Sequence, residues 1–317
     1  MENFAELHLH IEGSLEPEFL IELGKRNNIK LPSFDLAELR GLYNFGDLQE
    51  FLNLYYKCMG ALKTVDDYTE LANRYLKRVA GTGLSHVEAF FDPQTHAGNG
   101  NDFAKVFTGL YNAFVNANSA FGIEANLIMC FERDRGTDEA LKTLDIALDF
   151  LSDKPEMRKK LIGVGLDSAE APYPPEPFAI AYKRAQDAGL NLTAHAGEEG
   201  SAKFIWSALD DLGVSRIDHG VRALEDKALL KRLAADQIPL TVCPLSNYAL
   251  KVKPSKSAVA QTVLDLLDAG VLVTINSDDP AYFGGYIDDN FTLLQENGFD
   301  DDVIKLLKMN SLKGKWG

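Results

Sequence analysis

The sequence predicts an α/β fold of one class, a closed (β/α)8 TIM barrel with extra helices in its first strand-to-helix connection. Three observations point there. Short apolar, β-branched runs alternate with longer segments of 3.6-residue period, which implies parallel βαβ units. The runs number eight, which favours a closed barrel over an open sheet. Polar residues able to do chemistry collect at the C-terminal ends of the runs, where barrels of this class place their sites.

The eight runs are ELHLH, SHVEAFF, ANLIMCF, LIGVGLD, LNLTAHA, RIDHG, IPLTVCP and VLVTIN, ending near Leu9, Phe90, Cys130, Leu166, Ala194, Asp218, Cys243 and Asn276. Gly13 breaks the first run, and Ser14 is placed to cap a following helix that carries Glu18 in its first turn. The gap over residues 14–83 is long enough for several helices. Within it Phe45, Phe51 and Tyr55 form an apolar stripe that serves as core or as a roof over the site. Later connections are clearly helical, as in DFAKVFTGLYNAFVNANSAFG and SKSAVAQTVLDLLDAG. PYPPEP at 172–177 reads as a local loop, and no Pro- or Gly-rich linker divides the chain, so residues 1–317 are expected to form a single domain.

Composition narrows the function classes. At 46% hydrophobic and 25% charged the chain is ordinary globular protein. No apolar run reaches the roughly 18 residues of a membrane span, and the opening Met1-Glu2-Asn3-Phe4 has no signal-peptide core. The net charge of -15 repels phosphate polymers and anionic membranes, leaving a small-molecule substrate as the natural partner. Cys58, Cys130 and Cys243 are odd in number, widely spaced and lack a CxxC pattern, so a reducing cytoplasm is expected.

HLHIEG at 8–13 places His8 and His10 on one face of an extended strand, because side chains alternate with period 2. TAHAGEEG puts His195 at the end of the fifth run with Glu198 just beyond, RIDHG puts His219 after the sixth, and NSDDP puts Asp278 and Asp279 after the eighth. Four of the six histidines thus lie at strand ends. His8, His10, His195 and Asp278 can converge there as three nitrogens and one oxygen, a donor set that suits zinc. The competing roles are ordinary ones: Glu198 and Glu199 as charges at a helix N-terminus, the Asp278-Asp279 pair as a helix cap, His219 as a structural hydrogen-bonder. His86 lies early in its run and reads as packing or surface. His96 lies in a loop and either packs or reaches substrate.

The ordered set HLHIEGSL, HAGEEG, RIDHG, TVCPLSN and NSDDPAYFGGY resembles the adenosine/adenine deaminase family of the amidohydrolase superfamily over residues 4 to about 312. FFDPQTH and SDDPAYFGGY look most like the adenine deaminase branch, and THAGNG departs from it, that branch often carrying an arginine near Asn99. The resemblance implies one zinc per chain held by His8, His10, His195 and Asp278, with Glu198 as proton shuttle, His219 beside the attacking water and Asp279 at purine N7. These roles make physical sense. Zinc lowers the pKa of a bound water from about 15.7 to about 7. Attack on C6 requires N1 to gain a proton, so Glu198 needs a raised pKa. A cationic His219 would stabilise developing charge, and Asp279 would either donate to N7 if protonated or accept from an N7–H tautomer.

The resemblance therefore implies hydrolytic deamination of adenine in purine salvage, with adenosine or an N6-substituted adenine as the alternative. Glu12 favours the free base: it is expected near the pocket mouth, where related adenosine deaminases often carry a shorter aspartate, and its extra length would fill the ribose space and meet N9 or N3. Amide or phosphoester hydrolysis at a binuclear site is disfavoured because GLDSAE supplies no bridging lysine. A purine-binding pseudoenzyme would have lost Glu198 or a metal ligand, and all are present.

Overall fold

The computed structural model describes residues 3–316. Eight parallel strands follow one another around the sheet in chain order, β1 (Phe4–His10), β2 (Leu84–Phe91), β3 (Glu124–Glu132), β4 (Leu161–Asp167), β5 (Asn191–Ala196), β6 (Arg216–His219), β7 (Leu240–Val242) and β8 (Val273–Ile275). Every strand ends within two residues of its expected position. Almost every strand residue is buried, as expected when helices cover the outside and side chains fill the inside.

The barrel closes by an irregular seam. Asn276 Oδ1 accepts the Leu7 N–H at 2.8 Å, and the Asp278 backbone then exchanges hydrogen bonds with His8 O at 3.1 Å and His10 N–H at 2.9 Å. A second weak point lies between β4 and β5, whose ladder holds only Gly163 with Asn191 and Val164 with Leu192. There the buried Arg133 guanidinium takes over, donating to the carbonyls of Leu166 (3.3 Å), Asp167 (3.2 Å) and His195. Both irregularities flank residues of the predicted site.

The first connection holds four α-helices, Pro17–Arg26, Leu36–Gly41, Leu48–Met59 and Val65–Val79. The expected Ser14 cap does not form. Ser14 instead closes a 3-10 turn by donating to Ile11 O at 2.6 Å, and the helix begins at Pro17, whose fixed φ and missing N–H suit a first turn that also contains Glu18. Asp47 caps the helix Leu48–Met59 through the Glu50 N–H. Its 3.6-residue period puts Leu48, Phe51, Leu52 and Tyr55 on one side, and these residues are both buried and turned over the top of the barrel. The aromatic stripe is therefore core and roof at once.

Candidate active site and metal centre

The four predicted ligands meet inside the C-terminal mouth of the barrel. Their donor atoms all lie within 4.8 Å of one another. His10 Nε2 is 3.1 Å from His195 Nε2, His8 Nε2 is 3.1 Å from Asp278 Oδ1, and His10 Nε2 is 3.6 Å from the same oxygen. A tetrahedral ion with bonds of roughly 2.0–2.2 Å spaces its donors by about 3.3 Å. The buried His8 Nε2 has no hydrogen-bond partner among the described residues. Buried polar atoms seldom go unsatisfied, so an imidazole nitrogen facing a carboxylate and two more imidazoles fits a divalent metal.

The outer nitrogens of the same rings are oriented from behind, as metal-binding imidazoles usually are. His8 Nδ1 meets Thr241 Oγ1 at 2.9 Å, and that hydroxyl donates to Asp218 Oδ1 at 3.0 Å. Asp218 Oδ2 accepts from Thr193 at 2.8 Å and lies 3.6 Å from His195 Nδ1. Asp167 Oδ2 lies 3.7 Å from His10 Nδ1. The Asp278 carboxylate is disfavoured by burial, but His8, His219 and His10 outweigh that cost and hold it well below the usual carboxylate range. Asp278, His219 and Ser168, each just at or beyond a strand end, have φ of +65°, +62° and +68°. Non-glycine residues rarely adopt this conformation, and it is characteristic of functional sites.

Glu198 sits in the turn after β5. Three consecutive backbone N–H groups, those of Glu198 (3.1 Å), Glu199 (2.7 Å) and Gly200, converge on Glu170 Oε2 and fix that turn. Burial, then the charges of Asp278, Glu170 and Glu199, push the Glu198 carboxyl well above its ordinary value, which favours its protonated form. His219 Nε2 is 3.6 Å from Glu198 Oε2 and 3.7 Å from Asp278 Oδ2. Burial lowers the His219 pKa to about 3 against the opposing pull of Asp278, so the ring rests neutral rather than as the cation the sequence led one to expect. Asp279 is also raised well above its ordinary value, by burial and by Asp278. Gly13 lets the first loop reach it: a Cβ there would lie 2.2 Å from Asp279 Oδ1 and 2.6 Å from its Cα.

These groups open onto a small cavity of about 40 Å³ lined on one side by His10, His195, Glu198, His219, Asp278 and Asp279. Leu48, Phe51, Leu52, Tyr55, Tyr56, Leu250 and Phe283 cover it, and Asp92, Asp167 and Ser168 complete the wall. Glu12 does not stand at the mouth. It is fully buried behind Asp92, accepting the Asp92 N–H at 3.2 Å and facing His96 Nε2 at 2.8 Å, and burial raises its pKa to about 8. His96 lies on the helix Pro93–Gly98, not in a loop, and its other nitrogen meets the Tyr68 hydroxyl at 3.0 Å. Neither residue lines the cavity, and nor does Asn99, whose carbonyl accepts from Lys63 Nζ.

Four supporting residues received no role from the sequence. Asp92 and Asp167 stand at strand ends, which was a usable signal. Glu170 and Arg133 act across 28 and 62 positions of sequence, on the Glu198 N–H and the His195 carbonyl, and left no local pattern.

Known proteins resemble this chain over nearly its whole length. An adenine deaminase of Pseudomonas putida is 48% identical over 312 residues, covering 98% of this chain and 96% of that one. The crystal structure of an adenine deaminase from Arthrobacter aurescens superposes with a TM-score of 0.93 at 44% identity, covering 100% of this chain and 94% of that one. An amidohydrolase from Burkholderia ambifaria, crystallised with bound Zn, gives 0.88 at 26% identity, covering 100% and 86%. The family described as Adenosine deaminase matches residues 4–317, and the chain belongs to that family.

Proposed function

We propose that the protein hydrolyses adenine to hypoxanthine and ammonia, a purine-salvage reaction, using one zinc ion per chain. The observation that carries this reading is the convergence of a three-histidine, one-aspartate donor set with the buried side chains of Glu198, His219 and Asp279 around one small cavity. The relatives of about 48% identity named adenine deaminase support the substrate, and the zinc in the amidohydrolase structure supports the metal. All eight strands frame this one site, so we read the chain as a single catalytic domain. The strong negative charge argues against nucleic acid as a partner. No helix among the described residues is long and apolar enough to cross a membrane, and three free, buried thiols suit a cytoplasmic location.

His8, His10, His195 and Asp278 would hold the zinc, which when bound supplies the Lewis acidity that activates water near neutral pH. With C6 of the purine turned toward these ligands, Glu198 meets N1 and Asp279 donates to N7. Glu198, whose protonated form burial favours, delivers its proton to N1 as the water oxygen bonds to C6. Neutral His219 takes a proton from that water and returns it to the departing nitrogen. The C6–N6 bond breaks, ammonia leaves, and the hydroxyl proton of the tetrahedral adduct restores Glu198. Glu12 acts on the substrate through Asp92, whose backbone it holds. All these groups are present together, which favours an enzyme over a purine-binding pseudoenzyme.

The test is kcat/KM for adenine, adenosine and an N6-alkyladenine, followed by ultraviolet absorbance on one preparation. Adenine should exceed adenosine by at least about tenfold, roughly 1.4 kcal/mol of discrimination. Equal or better turnover of adenosine would overturn the substrate assignment.

A further inference from the structure

Asp92 has an oxygen with nothing to do. Its side chain is buried, and Oδ1 has no hydrogen-bond partner among the described residues, although it lines the cavity. Asp92 occupies the N-cap position of the helix Pro93–Gly98, yet its carboxylate makes no capping bond. Its backbone is pinned by Glu12, and its other oxygen lies 3.5 Å from the Tyr55 hydroxyl. The carboxyl also faces that of Asp167, so it is positioned from three sides, and Oδ1 has no donor of its own among the described residues, a place that a ligand entering the cavity can fill. A buried acceptor without a donor costs about 1–3 kcal/mol, and a bound ligand that donates a hydrogen bond would remove that cost.

The purine orientation proposed above says which ligand atom that is. With C6 at the metal ligands, N1 at Glu198 and N7 at Asp279, the N3–N9 edge points to the opposite wall. Asp92 lines the cavity with an oxygen clustered within 4.8 Å of His10 and Asp167, and its charge acts on Asp279, which this orientation sets against N7 on the same five-membered ring as N9. The free base carries a hydrogen on N9, whereas a nucleoside carries a sugar there. We propose that Asp92 is the specificity-determining residue for the free base and accepts the N9–H hydrogen bond, so that an N9 substituent is rejected both by bulk and by leaving Asp92 Oδ1 unpaired. This inference rests on the adenine reading and deepens it. A site built to hydrogen-bond a substrate N–H discriminates strongly against analogues that lack it.

The experiment compares adenine with 9-methyladenine, which differs only by a methyl group at N9, on the zinc-loaded enzyme and its Asp92→Ala and Asp92→Asn variants. Wild type should prefer adenine by on the order of 10²-fold in kcat/KM. Asp92→Ala should raise KM for adenine by roughly tenfold or more, with a smaller change in kcat, and bring the two substrates within a few-fold of each other. Asp92→Asn, which keeps an acceptor oxygen, should recover part of the preference. Unchanged discrimination in Asp92→Ala, or equal losses on both substrates, would overturn the assignment. Should Asp92→Ala fail to fold, calorimetric binding of purine against 9-methylpurine to the wild-type holoenzyme decides: equal affinities overturn it and preference for purine supports it. A wild type that turns over no adenine sinks the adenine reading, whereas turnover with discrimination indifferent to Asp92 sinks only this inference.

Discussion

The two ends of the barrel bury charge in opposite ways. At the N-terminal end, Arg216 Nη1 meets Glu88 Oε2 at 2.5 Å, with both side chains fully buried. Glu88 Oε1 also takes the Trp316 N–H and faces His86 Nε2 at 3.0 Å, and the Trp316 ring lies 3.8 Å from the Arg216 guanidinium carbon. Arg216 holds the Glu88 carboxyl below its ordinary value against the cost of burial. At the C-terminal end, His8 Nε2, His10 Nδ1, Glu198 Oε1, Asp279 Oδ1 and Asp92 Oδ1 all lack partners, and Glu198, Asp279 and Glu12 are all held above the ordinary carboxylate range. One end sets its charges against each other as ion pairs and is a plug, although Arg216 Nε and Nη2 there make no hydrogen bond among the described residues. The other withholds partners and is poised for a metal and a substrate.

The contrast is sharpest when each end is damaged. Glu198→Gln keeps the shape but can neither donate the N1 proton nor recover it. It should retain metal and thermal stability while losing about 10²- to 10⁴-fold in kcat, and a variant within a few-fold of wild type would assign the proton to another group. Arg216→Met should do the reverse. Stranding Glu88 without its partner should cost about 3–5 kcal/mol of stability, while molecules that remain folded keep near-normal KM for adenine. Adding Glu88→Leu should restore much of that loss, since an apolar pair of similar volume often replaces a buried ion pair without penalty. Denaturant titration of the single and double variants measures this.

A smaller effect separates structural from reactive carboxyls at the top. The Glu12 carboxyl is raised to about 8 in the folded protein, against an ordinary value near 4.3 when unfolded. The native state therefore holds a proton that the unfolded chain releases between those values, so this group makes wild type lose stability as pH rises through that window, by about 1.4 kcal/mol per pH unit at most. Glu12→Gln lacks the titration. Its thermal midpoint relative to wild type should rise from pH 5 to pH 8 and level off above, and a difference that does not vary with pH would show that Glu12 is ionised throughout.

These two ends also differ in what the sequence revealed. The barrel was legible because eight apolar runs alternate with helical segments, a signal that holds even where β7 and β8 are only three residues long. The convergence of His8, His10, His195 and Asp278 beside Glu198 and His219 was legible because strand ends concentrate chemistry and because period 2 puts His8 and His10 on one face. Glu12 was misplaced in depth, since adjacency to a ligand in sequence does not say whether a side chain points into the cavity or behind it. Ser14 was read as a cap because its type fits, but the short turn at Glu12–Ser14 moved the helix start to Pro17. The plug was invisible: Glu88 pairs with Arg216 across 128 positions and with Trp316 across 228. His86, read as a packing or surface residue, is buried as part of that network.

The most direct test of the account adds zinc in steps to chelated, metal-free enzyme and follows adenine hydrolysis together with bound metal by elemental analysis. Activity should rise linearly with zinc and stop at one equivalent per chain, and His10→Ala should take up none and stay inactive. Full activity without metal, a second required equivalent, or zinc retained by His10→Ala with activity intact would contradict it.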